Sequence, residues 1–275
     1  TGHKSSTYCP GFYTLPGSTR KFRDWKRTGH GTVKLDEAIT QSCDVYFYDL
    51  ALSMGIDRIH DYLQHFGFGK RTGIDIQGEL PGLLPSPGWK RARRGEPWFP
   101  GETIITGIGQ GFFLSTPLQL AVATATLANQ GQRVKPNIIH TAGQAGSSVL
   151  QTLSRQKDKI IAINDPAHWD RIIASMVHVV HGERGTARRI GSDSPYRIAG
   201  KTGTAQVFGL KEEEEYDAEA IAEKLRDHAL FIAFAPVDDP QIVVAIIVEH
   251  GGSGGVVAAP IARSILDSYL LDKAS

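Results

Sequence analysis

Three groups of residues in this 275-residue chain carry side chains able to do chemistry, and the first is Lys201-Thr202-Gly203. An ammonium and a hydroxyl side by side can hold a carboxylate by a charge-assisted hydrogen bond and a neutral one. Ala199, Gly200, Gly203 and Ala205 are all small, which leaves one strand edge bare for a close-fitting backbone ligand. The N–H of Thr204, just after Gly203, can then face a developing oxyanion. Alone, the tripeptide is a weak signal and more often a turn. The second group is Ser42-Cys43-Asp44, a hydroxyl and a carboxylate that suit proton transfer but equally suit capping of the helix that follows. The third is Cys9, Asp24, His30 and Cys43, whose gaps of 15, 6 and 13 residues are no compact finger spacing. Thiolate, imidazole and carboxylate form a legitimate tetrahedral zinc set; a Cys9–Cys43 disulfide or two unrelated thiols compete with it.

Two further patterns carry less. Ser18-Thr19-Arg20-Lys21 fits S-x-x-K literally, but Pro16-Gly17 precede it and no apolar helical face follows, so it reads as a solvated basic loop. Gly109-x-Gly111 lacks the lysine and the strand-loop-helix context of a phosphate loop.

The elements that must position these groups follow from periodicity and punctuation. Residues 1–33 are rich in Gly, Pro, aromatic and basic types and predict a long irregular segment. Helices are predicted at 35–41 and 45–51, joined at Ser42-Cys43-Asp44, and at 56–66 after Gly55. The stretch 67–100 reads as Gly/Pro-rich loop with a short strand at 72–76. Thr116-Pro117 starts a buried helix at 118–129, and 141–160 reads as a surface excursion. A further helix is predicted at 169–181, with His178 and His181 as surface groups. Strands are expected within 198–208, at 230–235 and at 241–249, with a helical piece at 218–226 after the acidic run 212–215. A C-terminal helix is expected at 257–271. The fold class is α+β: an antiparallel sheet packed with helices. The chain divides into 1–34 (irregular, carrying three of the four candidate zinc ligands), 35–190 (mainly helical) and 191–275 (sheet and last helix), within a single domain.

A formal net charge of +1 and the lack of a basic block beyond residues 90–94 argue against nucleic acid as a partner. No apolar run reaches the length of a membrane span, and no signal-peptide pattern opens the chain. The abrupt start at Thr1-Gly2-His3 suggests a piece of something longer.

S-x-x-K, S-x-N and K-T-G are together the motif set of penicillin-binding proteins and serine β-lactamases. With Ser42-Cys43-Asp44 ahead of Lys201-Thr202-Gly203, this chain resembles the transpeptidase domain of class B penicillin-binding proteins. Gly107-Ile108-Gly109-Gln110-Gly111, Ser115-Thr116-Pro117-Leu118-Gln119 and Phe234-Ala235-Pro236 support that. Arg23-Asp24-Trp25-Lys26, Gly29-His30-Gly31, Gly55-Ile56-Asp57-Arg58 and the stretch 204–211 resemble its elongation-specific subfamily of Gram-negative bacteria.

The resemblance implies a serine-type D,D-transpeptidase that cross-links peptidoglycan stem peptides through an acyl-serine and binds β-lactams. It implies anchoring at the periplasmic face of the inner membrane, by an anchor outside this chain, among the membrane proteins of the elongation machinery. Ser42 and Asp44 would shuttle protons, with Asp44 in place of the usual asparagine. Lys201 and Thr202 would hold the substrate carboxylate along the bare Gly203, and Thr204 N–H would form half of the oxyanion hole. The family's S-x-x-K lies upstream of the region matching Tyr8-Cys9-Pro10-Gly11, so the chain alone is expected to be inactive. The resemblance also implies a structural zinc on Cys9, Asp24, His30 and Cys43. The alternatives are a serine β-lactamase or β-lactam sensor, and a non-catalytic scaffold of the elongation machinery.

Overall fold

The computed structural model describes residues 6–139, 141–142, 151–152, 157–207 and 222–271. Four strands of three residues come first: β1 (Thr7–Cys9), β2 (Phe12–Thr14), β3 (Lys21–Arg23) and β4 (Gly31–Val33). They pair as two antiparallel ribbons, β1 with β4 and β2 with β3. The irregular segment expected here is therefore partly paired. Strands of three residues are too short to show an alternation in the sequence.

Helices α1 (Leu35–Gln41), α2 (Asp44–Met54) and α3 (Ile56–His65) follow, with Gly55 at φ 79° ending α2 as expected. The stretch 67–100 departs from expectation. Thr72 and Gly73 give their N–H groups to the Glu79 carboxylate (2.6 and 3.1 Å), so 72–76 forms a loop and not a strand. The basic Trp-bearing loop contains helix α4 (Pro87–Arg94), capped by Ser86 Oγ accepting from Trp89 N at 3.1 Å. Its Lys90 is 1% exposed and pairs with Glu102 of α5 (Pro100–Gly107).

Helix α6 (Pro117–Ala128) begins with a full capping box: Gln119 N donates to Thr116 Oγ1 (3.1 Å) and Thr116 N to Gln119 Oε1 (2.9 Å). The buried Gln119 amide also donates to Lys70 O and Pro81 O, which fastens the Gly/Pro-rich loop to the helix start. Short strands β5 (Gln132–Val134), β6 (Thr141–Ala142), β7 (Gln151–Thr152) and β8 (Lys157–Ile160) lead to α7 (Ala167–His181).

The main sheet is antiparallel with order β11-β10-β9, built from β9 (Ala199–Ala205), β10 (His228–Ala235) and β11 (Ile242–Val248). Side-chain alternation along β10 assigns its two faces. Ala229, Phe231, Ala233 and Ala235 pack with Ala258, Ala262 and Leu266 of the chain's end, including α8 (Ala259–Leu271). Phe234 packs oppositely, with Ala128 of α6 and Ile173, Met176 and Val177 of α7. This is the α+β layer expected, and it leaves β9 as an edge strand. Phe208, the acidic run and the first part of the helix expected at 218–226 lie outside the described residues; Glu223–Leu225 form a 3-10 turn. Among the described residues no helix is long and apolar enough to cross a membrane.

Candidate functional site: a groove along a strand edge

The small residues of β9 let structure crowd it from both sides. A Cβ on Gly200 would lie 2.6 Å from the Phe231 ring. From the other side the π-helical turn Gly254–Ala258 presses in, where a Cβ on Gly254 would fall 2.2 Å from Leu230 O and 2.5 Å from Gly203 O. The strand is therefore clamped along its length, and its free edge keeps a fixed shape. Thr202 and Thr204 give their carbonyl oxygens to side chains and not to β10: Thr202 O accepts from Lys201 Nζ (2.9 Å) and Thr204 O from Gln110 Nε2 (2.7 Å).

Lys201 also reaches across the groove to Ser42, Nζ to Oγ at 2.9 Å, joining positions 159 residues apart. Ser42 sits at the C-cap of α1 with φ 57° and ψ 50°, a left-handed conformation usually left to glycine. A non-glycine residue held there points to a local task. Neither Ser42 nor Asp44 caps α2, so the capping reading fails: Cys43 is the N-cap residue and makes no side-chain cap bond. The Ser42 hydroxyl faces Lys201 instead, and Asp44 Oδ2 accepts from Trp25 N at 3.0 Å. The Trp25 indole N–H donates to Gln41 O and Ser42 O (3.1 and 2.9 Å), bracing the junction from outside.

Burial sets the charge balance. Desolvation pushes the Lys201 ammonium down to about 8, with Asp44 opposing the shift. Asp44 is pushed up to about 7, first by burial and then by the Asp24 charge, against the pull of the Trp25 amide and Lys201. A buried lysine and a carboxylate that feel each other's charge, with pKa values brought to about 8 and about 7, can exchange protons at little cost. Thr202 Oγ1 is held 2.8 Å from Thr186 Oγ1, on the turn after α7, and Thr186 N donates to Thr40 O (3.4 Å). The edge thus offers an ammonium, an oriented hydroxyl and outward backbone acceptors for an extended ligand ending in a carboxylate. Sequence reasoning singled out Lys201, Thr202, Gly203, Thr204, Ser42 and Asp44, which lie along this groove, but not Gln110, Thr186 or Trp25. Gln110 and Trp25 stood only inside stretches that carry the family resemblance, with no role of their own. Ser18 is exposed on the β2–β3 hairpin, its Oγ accepting from Arg20 N (3.2 Å), and Lys21 lies in β3.

Behind the junction Cys9, Asp24, His30 and Cys43 converge, their ligand atoms all within 4.8 Å of one another. Asp24 Oδ2 lies 3.4 Å from Cys9 Sγ and 3.5 Å from Cys43 Sγ, Asp24 Oδ1 lies 3.4 Å from His30 Nδ1, and Cys9 Sγ lies 3.6 Å from the same nitrogen. Both cysteines are free thiols. Burial raises the pKa of both thiols and lowers that of His30, so without a cation the cluster favours neutral thiols and neutral imidazole around a carboxylate whose side chain is 0% exposed. A buried carboxylate needs a countercharge. With metal–ligand bonds of about 2.0–2.3 Å a tetrahedral zinc spaces its donors by roughly 3.3–3.8 Å; the four contacts above fall in that range, and the four ligand atoms lie within 4.8 Å of one another. The donor set therefore fits a closed, four-ligand metal, with softer ligands than magnesium or calcium take.

A profile of the Penicillin binding protein transpeptidase domain matches residues 3–267. The chain is similar to the peptidoglycan D,D-transpeptidase MrdA of Haemophilus influenzae, 45% identical over 270 residues, covering 97% of this chain and 41% of the relative. Among solved structures it resembles Pseudomonas aeruginosa PBP2 in complex with WCK 5153, with TM-score 0.85 and 45% identity over 98% of this chain and 54% of that one. It also resembles PBP2 from a complex with MreC of Helicobacter pylori, with TM-score 0.83 and 31% identity over 98% of this chain and 46% of the other. The chain thus spans about two fifths of the MrdA relative's length.

Proposed function

The chain belongs to the penicillin-binding protein transpeptidase domain family, and from that premise we propose that its groove binds the D-Ala-D-Ala end of a peptidoglycan stem peptide for cross-linking. The observation that carries the reading is the Lys201 ammonium bridging the β9 edge to the Ser42 hydroxyl. In this reading Lys201 and Thr202 hold the terminal carboxylate, and the Thr202 and Thr204 carbonyls receive the peptide's N–H groups. Thr204 N–H faces the oxyanion that forms when a serine attacks the penultimate carbonyl. Ser42 passes a proton between Lys201 and the reacting centre. Asp44, when ionised, steadies the lysine charge. β-Lactams, which copy the D-Ala-D-Ala end, occupy the same groove.

The reading assigns no attacking serine within this chain. Ser18 is on an exposed hairpin, and Ser42 is given the proton-relay role. The serine-type reaction is then completed by a nucleophile from the parent protein, at the periplasmic face of the inner membrane beside the membrane proteins of the elongation machinery. The Helicobacter pylori relative solved with MreC supports such a partner. Zinc is proposed on Cys9, Asp24, His30 and Cys43. When bound, it supplies a structural cross-link and no reaction chemistry, since four protein ligands leave no open position. Asp24 and Cys43 would thereby hold β1, the 24–30 loop and the α1–α2 junction together, with Ser42 in place.

Labelled penicillin and mass spectrometry test the acylation part: the chain alone is expected to form no adduct. An adduct on Ser18 or Ser42 would sink the assignment. The groove is tested by titrating the chain with diacetyl-L-lysyl-D-alanyl-D-alanine. Binding that survives Lys201→Met unchanged would refute the carboxylate role.

A further inference from the structure

An extended peptide docking on an edge strand needs the strand's outward carbonyls for its own N–H groups. On β9 those carbonyls already have donors from side chains: Lys201 Nζ on Thr202 O, and Gln110 Nε2 on Thr204 O at 2.7 Å. The Gln110 donor is a primary carboxamide, chemically a copy of the peptide group that a ligand would present there. It comes from 94 residues earlier in the chain, on the turn that ends α5.

The turn suits that task. Gly109 N donates to Thr106 O (2.9 Å) and Gln110 N to Ile105 O (3.1 Å), so the backbone is fixed to the helix end. Gly109 and Gly111 have φ of 75° and 73°, a conformation that glycine adopts without steric cost. A Cβ on Gly109 would meet nothing within 4 Å, so backbone conformation, and not crowding, calls for glycine there. The side chain between them is half-buried, with this bond to the strand edge as its anchor. Covering an acceptor on an exposed edge also discourages strand pairing between two copies.

We propose that Gln110 is a resident stand-in for the substrate: its carboxamide occupies the Thr204 carbonyl in the empty groove and swings aside when a peptide N–H takes its place. The inference rests on the reading that the β9 edge receives the stem peptide. A competitor inside the groove scales the apparent affinity by the fraction of time the acceptor is open, and it acts on association. Dissociation of a peptide already in place does not depend on it.

The test uses the full chain, diacetyl-L-lysyl-D-alanyl-D-alanine as probe, and NMR line shapes to separate the two rates. Gln110→Met keeps the side chain's length without a donor, and Gln110→Ala removes it. Both are expected to bind about two- to tenfold tighter, the range of one neutral hydrogen bond. The gain should lie in faster association with dissociation unchanged. In the native chain, saturating peptide should move the Gln110 side-chain amide resonances to solvent-exposed positions. Equal affinity in both variants, or faster dissociation, overturns the inference, because Gln110 would then be a bystander or a contact that holds the ligand. Absence of binding by the native chain and both variants overturns the peptide-groove reading itself, and the inference falls with it.

Discussion

Replacing Asp24 by alanine should cost this protein more than any surface change, and the cost can be worked from its contacts. The Asp24 carboxylate accepts Val45 N at 3.2 Å and Lys26 N at 2.9 Å, and its side chain is 0% exposed. Removing it leaves two backbone donors unpaired, one in the core at Val45, the other partly hydrated at Lys26. A buried unpaired donor costs about 1–3 kcal/mol, so together they cost roughly 2–4 kcal/mol. At about 2 °C per kcal/mol for a chain of this size, the melting temperature should fall by about 4–8 °C. Loss of the fourth metal ligand adds to that, since structural zinc contributes on the order of 10 kcal/mol of apparent binding free energy in small peptides. Asp24→Asn keeps one acceptor and should lose about half of the hydrogen-bond part. Calorimetry with and without a zinc chelator, beside metal analysis of protein purified without added zinc, separates the two contributions: the chelator should lower the native melting temperature and barely move Asp24→Ala. Refutation would be Asp24→Ala melting within about 1 °C of native, with Cys9 and Cys43 found covalently joined and stability sensitive to reductant but not to chelator.

Three further expectations follow from the groove. Burial pushes Lys201 down to about 8 from 10.5, so competitive acylation should label it half-maximally near pH 8, and affinity for a peptide carboxylate should fall as pH rises through that value. The unfolded state then binds more protons than the folded one between pH 8 and 10.5, so this residue's contribution to stability rises with pH across that window, which a pH series of denaturant melts on native and Lys201→Met can isolate. Thr186→Val removes the partner of the Thr202 hydroxyl and should weaken peptide binding about two- to tenfold with little change in melting temperature. Gly254→Ala places a methyl 2.2 Å from Leu230 O and 2.5 Å from Gly203 O, both backbone atoms, and should destabilise the fold by about 3 kcal/mol or more in urea titration; a near-native midpoint would show that the π-helical turn can move away from β9.

The sheet was legible because β10 and β11 are nearly unbroken apolar runs of eight and seven residues on either side of a proline turn, and α6 because Thr116, Pro117 and Gln119 state a helix start by type and spacing. Where the sequence misled, the cause was local. β1 to β4 are three residues each and carry no period. α4 has a basic, weakly apolar face, and its start signal, Ser86-Pro87, is hidden in a Gly/Pro-rich stretch. The 72–76 run has strand-like residue types, but Glu79 takes the N–H groups a partner strand would have received. At the site, residues that advertise chemistry by type were found; those whose role comes from position alone were not. Thr186 and Gln110 are ordinary polar residues until folding sets them against Thr202 and Thr204. For the same reason Ser42 read as a helix cap: its left-handed backbone and its lysine partner are tertiary facts.

The 159-residue separation of Ser42 and Lys201 has a consequence for how the protein is made. At about 5–20 residues per second, a ribosome that has just added Ser42 needs about 8–30 s to reach Lys201. Throughout that interval the α1–α2 junction exists without the strand that completes the groove. Local helices and the cluster around Asp24 can form early, because their partners are close in sequence, whereas the β9 edge and its contacts to Ser42 and Gln110 are long-range closures and come late. The nascent chain therefore cannot present a complete groove to any ligand before β9 has emerged and docked.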